Sequence, residues 1–179
     1  MRASIRTGAV GLGAAAAIAL SGQFGFAATT PSNPLEPGTH VPATMLKLTS
    51  CDSIPPDYDR SVAETVYDTA VGRDVDDRVM LSTFETAWVE SHVNNLPCGD
   101  ADSLGVFQQR PSAGWGTPEQ VQDPVYATNA YLDQAITNAA NNPGWSAGQV
   151  AQSVQRSAYP DRYDQNEDKA REIIGAMQS

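Results

Sequence analysis

Glu90 is the residue of this chain that is best placed for acid–base chemistry. It lies near the end of a helix predicted over Val75–Val93, on a row of that helix with no other charge. A carboxylate in the last helical turn faces the negative end of the helix dipole, which costs about 0.3–1 kcal/mol. A glutamate that donates a proton near neutral pH needs a pKa of about 6 instead of about 4.3. Apolar neighbours must therefore supply the rest of the shift by desolvation, and Trp88, Val89 and Phe107 are the candidates.

Glu85 lies on the same predicted helix but on a different face, among charged residues. At 100° per residue it shares a side with Arg78 and His92, which indicates a solvated, charged face. The core face of this helix is predicted to hold Met80, Phe84, Ala87, Trp88 and Ser91. We therefore expect Glu85 to be exposed to water and Glu90 to lie at the border of the core.

The elements that must position these residues are helices. From residue 57 onward, apolar residues recur at helical spacing and there is little strand signal. Besides Val75–Val93, the pattern predicts four helices: one ending near Gly72, one beginning at Asp123-Pro124, one capped by Ser146 and one over residues 170–177. Residues 94–122 hold four glycines and are predicted to be mostly loop. The expected fold class is all-α, with about five helices and a glycine-rich loop over one face.

The first third of the chain is predicted to lie outside this helical domain. Residues 1–27 have the pattern of a signal peptide, with a basic start, an uncharged run over Ala9–Leu20 and small residues before the cleavage point. That run is too short for a membrane-spanning helix of about 20 residues. Residues 28–56 contain six of the twelve prolines and predict a flexible linker. The expected product is a secreted domain over residues 57–179, without a membrane anchor after cleavage.

The charge balance narrows the class of partner. The chain has 11 Lys and Arg against 21 Asp and Glu, a net charge of −10, and loss of residues 1–27 removes two more arginines. Such a chain lacks the basic surface that nucleic acids require, and anionic lipid would repel it. We therefore expect neither nucleic acid nor membrane as a partner, and a monomer in solution.

Cys51 and Cys98 are the only cysteines of the chain. In an exported protein an even number of cysteines favours a disulfide, so we predict a bond between these two. The alternative, a nucleophilic thiol at Cys98, needs a histidine base. The two histidines do not provide one, because His92 lies nearby on the predicted helix and His40 lies in the proline-rich segment.

Three short motifs around Glu90 occur in an order that is typical of one enzyme family. They are Glu90-Ser91, the run Ser103–Gln109 and Ala158-Tyr159-Pro160. Together they resemble the three signatures of the soluble lytic transglycosylase family, which has a lysozyme-like fold. The longer run Gly99–Pro111, followed by Gly114–Pro118, resembles one branch of this family. That branch is found in secreted and phage-borne cell-wall proteins of Gram-positive bacteria. The resemblance covers roughly residues 62–174.

The resemblance implies a substrate and a set of site residues. The substrate would be the glycan strands of peptidoglycan, cut between N-acetylmuramic acid and N-acetylglucosamine, with Glu90 as the catalytic acid and base. The expected substrate-binding residues are Ser91, Gly105, Phe107, Gln108 and Tyr159. Gly105 has no Cβ and would let the backbone approach a sugar ring, while Gln108 would hold an N-acetyl group. Tyr159 would bond the Glu90 carboxyl.

The same positions also have structural interpretations, and the motifs depart from the family at two places. Gly105 could serve a turn, Gln108 could bond the loop to itself, and Tyr159 could be a half-buried core aromatic. The second motif has Val106-Phe107 where Leu and Met are commoner. The third motif ends in Pro160 in place of Asn, and proline has neither the amide side chain nor a backbone N–H. That difference bears most directly on the role of Tyr159.

One glutamate can suffice for this chemistry in the family that the chain resembles. The glutamate protonates the glycosidic oxygen, the 2-acetamido group of the sugar stabilises the anomeric carbon, and the C6 hydroxyl closes a 1,6-anhydro ring. No metal or other cofactor is implied. The first alternative is a muramidase that activates water with a second carboxylate, for which Asp100 and Asp102 are the candidates. Both could instead bond loop N–H groups. The second alternative is a wall-binding module without catalysis.

Overall fold

The computed structural model describes residues 50–179, and this part of the chain is helical. It contains six α-helices and no β-strand: α1 (Arg60–Gly72), α2 (Asp77–Ser91), α3 (Pro118–Val121), α4 (Pro124–Asn141), α5 (Ala147–Gln155) and α6 (Glu167–Met177). The predicted all-α class is thereby confirmed. The predicted signal peptide and residues 28–49 of the predicted linker lie outside the described residues.

Side-chain caps explain where four of the longer helices begin. Asp59, Asp76 and Asp123 each accept hydrogen bonds from backbone N–H groups in the first turn of α1, α2 and α4. Ser146 accepts from the Gln149 N–H at the start of α5, and the Gln149 side chain bonds back to the Ser146 N–H. These contacts satisfy N–H groups that have no partner within the helix. The predicted starts of α4 and α5 are confirmed.

Helix α2 lies at the centre of the domain, packed against α4, α5 and α6. Every residue from 81 to 87 is buried, so this helix has no charged face in its middle. Its buried hydroxyls find partners inside the protein: Thr83 donates to the Val79 carbonyl, Thr86 to the Ser82 carbonyl, and Ser82 bonds the Tyr131 hydroxyl. The polar residues at positions 82–86 of α2 therefore do not mark a surface.

The loop over residues 94–117 is fastened to the end of α2. Helix α2 stops where His92 and Val93 take the left-handed conformation, and their N–H groups bond the last carbonyls of the helix. The Ser91 hydroxyl donates to the Val106 carbonyl at 2.7 Å. Leu104 and Gln109 pair as an isolated bridge, which closes the segment between them into a tight turn. The predicted loop is thus a defined structure, followed by the short helix α3.

The disulfide predicted between Cys51 and Cys98 is present and ties the start of the described chain to this loop. Two hydrogen bonds extend the contact: His92 Nδ1 lies 2.7 Å from the Pro55 carbonyl oxygen, and Asn94 donates to the Asp57 carbonyl at 3.0 Å. Residues 51–56, the end of the predicted linker, therefore lie against the helical domain. Within residues 50–179, no helix has the length and apolar composition needed to cross a membrane.

Candidate active site

Glu90 lies in the last turn of α2, at the edge of a pocket of about 310 Å³. The pocket is bounded by the loop after α2, by the end of α5 and by the turn that follows α5. Its lining includes Gln108 and Trp115 from the loop and Gln155 and Tyr163 from the other side. Amides, an indole and a half-buried carboxyl are suited to a polar, ring-shaped ligand.

The Glu90 carboxyl is held in place by a hydrogen bond from a buried tyrosine. The hydroxyl of Tyr163 donates to Glu90 Oε1 at 2.9 Å. Tyr163 is itself fully buried and packs with Val89 and Ala151 in a small apolar cluster. Burial raises the pKa of Glu90 above its ordinary value, while the bond from Tyr163 and the charge of Arg162 partly oppose the shift. Glu90 can therefore hold a proton at higher pH than an exposed glutamate and release it to a group in the pocket.

Of the three predicted apolar neighbours of Glu90, Val89 is the one in the cluster with Tyr163. The ring of Phe107 is fully buried and stacks on Tyr131, with centroids 5.0 Å apart. Trp88 stacks on His92 instead, with centroids 4.2 Å apart.

The tyrosine that bonds Glu90 is Tyr163 and not, as predicted, Tyr159. The Tyr159 side chain is 70% exposed and borders a separate hollow with Pro160 and Asp161. Pro160 begins a single 3-10 turn, and this turn brings Tyr163, four residues after Tyr159, back to the end of α2. The sequence offered one signal of this difference, since the third motif departs at Pro160 from the family that the chain resembles.

Three of the predicted substrate-binding residues lie beneath the pocket and support its loop. Ser91 is fully buried, and its hydroxyl bonds the Ala87 and Val106 carbonyls. Phe107 fills the core. Gly105 has φ of +77°, and a Cβ there would collide with the Val121 carbonyl oxygen. Its missing side chain therefore allows contact with the protein backbone and not with a sugar.

Gln108 is the predicted binding residue that does line the pocket with Glu90. Its Nε2 donates to the carbonyls of Cys98 and Gly105, at 3.2 and 3.1 Å. The amide thus bonds the loop to itself, as the structural interpretation of Gln108 anticipates. On the opposite wall, Gln155 donates to the Phe107 carbonyl at 2.9 Å and joins α5 to the same loop.

Neither candidate for a second carboxylate lines this pocket. Asp102 is bound by Arg110 at 2.9 Å and by the N–H and hydroxyl of Ser112. The Arg110 guanidinium and these bonds lower the pKa of Asp102 to about 2. Asp100 is exposed and lies beside a different hollow, next to Cys51 and Gly99. Among the described residues that line the pocket, Glu90 is the one acid.

Glu85, predicted to be exposed, is completely buried, and neither of its carboxyl oxygens has a hydrogen-bond partner within the described part of the chain. Desolvation raises its pKa to about 8, and the negative charges of Asp164 and Glu167 add to the effect. The prediction failed because the middle of α2, residues 81–87, is buried all round and because Arg78 turns away to the end of α4. There its guanidinium donates to four backbone carbonyls.

Sequence reasoning missed several polar residues that line the site, among them Tyr163, Gln155 and the arginines Arg110, Arg156 and Arg162. A larger hollow of about 430 Å³ lies between α1, α2 and α6. Among its described lining residues, the exposed Asp77 is the one acid, and there is no counterpart of the Glu90–Tyr163 pair. Within residues 50–179, no group of three or more His, Cys, Asp and Glu lies close enough together to hold a metal ion.

Compared with known protein families and with curated proteins, the chain matches none.

Proposed function

We propose that this protein is a secreted lytic transglycosylase with a lysozyme-like fold, which cleaves the glycan strands of peptidoglycan between N-acetylmuramic acid and N-acetylglucosamine. The observation that carries the proposal is the Glu90–Tyr163 pair. A half-buried carboxyl with a raised pKa, oriented by a buried phenol, lies beside a pocket lined by amides and an indole. The disulfide supports export, because disulfides persist in oxidising compartments.

In the proposed mechanism, protonated Glu90 donates its proton to the glycosidic oxygen while the bond to the anomeric carbon breaks. The 2-acetamido group of the muramic acid supports the electron-deficient carbon. The Glu90 carboxylate, now stabilised by the Tyr163 hydroxyl, takes the proton of the C6 hydroxyl, whose oxygen closes the 1,6-anhydro ring. Glu90 ends the cycle protonated, so one carboxyl suffices and water is not consumed.

The position of the aspartates favours the transglycosylase over the hydrolytic muramidase. A hydrolase needs a second carboxyl within about 5–9.5 Å of the first to serve as nucleophile or to activate water. Asp102 is engaged by Arg110 and Ser112, and Asp100 borders another hollow. Glu90 has no acidic partner among the described lining residues.

The test is digestion of purified peptidoglycan by the wild type and by Glu90→Gln. We expect Glu90→Gln to lose at least about 1,000-fold of the lytic activity, while it stays folded and still binds glycan. Glu85→Gln is the matched control, since it changes a buried glutamate on the same helix that does not line the pocket. It should keep most of the activity.

Mass spectrometry of the products distinguishes the remaining functions. A transglycosylase releases anhydro-muramic products, which are lighter by one water than those of a muramidase. Reducing-end products would instead support the hydrolase, with Asp100 and Asp102 as the next residues to substitute. A wild type that binds walls but never releases fragments would contradict both enzymes and leave a wall-binding module.

A further inference from the structure

The pocket beside Glu90 is rich in cations although the chain is acidic. Residues 50–179 contain eight Lys and Arg against twenty Asp and Glu. Three of the eight cations, Arg110, Arg156 and Arg162, line this one pocket, and Glu90 is the one acid among its described lining residues. When Glu90 is protonated, the pocket therefore carries a positive charge in a molecule whose net charge is negative.

The three arginines differ in how their charge is compensated. Arg110 pairs with Asp102 at 2.9 Å. Arg162 donates to the Val89 carbonyl at 3.1 Å, a neutral partner, and it forms no ion pair within the described residues. The Arg156 side chain has neither an ion pair nor a hydrogen bond within the described part of the chain, and it is exposed. Arg156 is thus free to bind an anion in the pocket.

The backbone at Arg156 is unusual for an arginine. The residue ends α5 with φ of 54°, a left-handed conformation that glycine or asparagine usually adopts at this position. The end of a helix favours a cation through the helix dipole, but that effect accounts for one cation and not for three around one pocket. The grouping of Arg156 with Arg110 and Arg162 points instead to the charge of a ligand.

We propose that Arg156, with Arg162 beside it, binds a carboxylate that the substrate carries on the muramic acid next to the bond to be cleaved. This inference rests on the proposed function and specifies its substrate. The planar guanidinium group matches the two oxygens of a carboxylate. Muramic acid carries such a group on its lactyl ether where the stem peptide has been removed, and an intact stem peptide carries further carboxylates. N-acetylglucosamine carries none.

A bound carboxylate would also support the chemistry at Glu90. The charge of Arg162 lowers the pKa of Glu90 and so favours loss of its proton before the reaction. A substrate carboxylate that balances this arginine would remove part of that effect. Glu90 would then keep its proton more firmly in the complex than in the free protein, at the step where it must act as an acid.

The experiment measures binding in the full chain carrying Glu90→Gln, so that no substrate is consumed. Three probes are titrated by calorimetry: stem-free glycan strands with lactyl carboxylates, the same strands with those carboxylates amidated, and strands with intact stem peptides. Each is measured for the Glu90→Gln protein alone and with Arg156→Gln, Arg156→Lys or Arg60→Gln added. Arg60, on α1 and paired with Glu64, is the control for loss of one positive charge far from the pocket.

We expect Arg156→Gln to weaken binding of a carboxylate-bearing probe by roughly tenfold and to leave the amidated strands unchanged. Arg156→Lys should recover part of the loss, and Arg60→Gln should have no effect. A loss confined to stem-free strands assigns the carboxylate to the lactyl group, and a loss confined to stem-bearing strands assigns it to the peptide. Equal affinity for amidated and carboxylate strands, or an equal loss on both, overturns the inference. Failure of all three probes to bind contradicts the proposed function itself.

Discussion

At the scale of single residues, the site depends on the pairing of one carboxyl with one phenol. Tyr163 is buried beside Glu90, and burial and the neighbouring carboxyl raise the pKa of its hydroxyl, so the hydroxyl remains a donor. A donor to Glu90 favours the ionised carboxylate and opposes the desolvation that favours the acid. The hydrogen bond also holds the Glu90 carboxyl in one orientation while it alternates between protonated and ionised forms.

Replacing Tyr163 by phenylalanine removes the donor and keeps the ring in the apolar cluster. Because the hydrogen bond lowers the pKa of Glu90, its loss should raise that pKa and move the alkaline limb of the activity profile to higher pH. The rate at the optimum should fall about tenfold, since the carboxyl loses its orientation. The measurement is the pH profile of muropeptide release.

Tyr159→Phe is the matched control for this prediction, since Tyr159 is exposed and its hydroxyl makes no hydrogen bond to Glu90. Its pH profile should coincide with that of the wild type. An alkaline limb that shifts in Tyr159→Phe and stays in place in Tyr163→Phe would contradict the assignment of the positioning tyrosine.

At the scale of elements, the loop after α2 forms one wall of the pocket, and close backbone contacts hold it in place. The Gly105 N–H donates to the Leu96 carbonyl at 2.8 Å, and the Gly105 Cα faces the Val121 carbonyl at the end of α3. The Ser91 hydroxyl and the Gln108 amide add bonds to loop carbonyls. The position of Gln108 in the pocket wall therefore depends on packing beneath it.

A comparison of Gly105→Ala with Gly114→Ala separates the cost of a left-handed backbone conformation from the cost of a collision between the new Cβ and Val121. Both have positive φ, +77° and +86°, so alanine is strained at either position. A Cβ at Gly114 meets nothing within 4 Å, whereas one at Gly105 collides with Val121. Gly114→Ala should lose about 1 kcal/mol of unfolding free energy, and Gly105→Ala about 3 kcal/mol or more. Urea unfolding measures both, and equal losses would show that the Val121 contact does not constrain the loop.

At the scale of the whole molecule, the enclosure of α2 places an acid where water cannot reach it. Glu85 faces Asp164, Glu167 and Arg171 from the segment around α6, and its oxygens have no hydrogen-bond partner within residues 50–179. An ionised carboxylate in such a place is costly, so the folded protein keeps Glu85 protonated. The stability of the entire domain thereby becomes dependent on pH.

The direction of this dependence follows from the pKa of Glu85, about 8 in the folded chain against 4.5 for a free side chain. Between these values the folded state holds a proton that the unfolded state has lost, so unfolding becomes more favourable as pH rises. The slope is at most about 1.4 kcal/mol per pH unit. Glu85→Gln removes this term, and its gain in melting temperature over the wild type should grow from pH 5 to pH 8. A difference that does not change with pH would show that Glu85 does not titrate in this range.

The sequence by itself determined the local features of this protein. Most of these features depend on residues close together in the chain: the caps at Asp123 and Ser146, the helical periodicity and the position of Glu90 near a helix end. Such features follow from hydrogen bonding and side-chain spacing within one or two turns, and these can be deduced without knowing how the helices pack. The pairing of Cys51 with Cys98 followed from the number of cysteines.

Only the tertiary structure decided which side chains meet. Tyr163 reaches Glu90 across 73 positions of sequence, and the arginines around them come from two further segments. Glu85 is buried because α2 is surrounded by other helices, although its own neighbours in sequence indicate a charged face. Contacts of this kind depend on the packing of distant elements. The hydroxyl side chains of a buried helix can bond its own backbone, so its sequence contains polar residues just as the sequence of an exposed helix does.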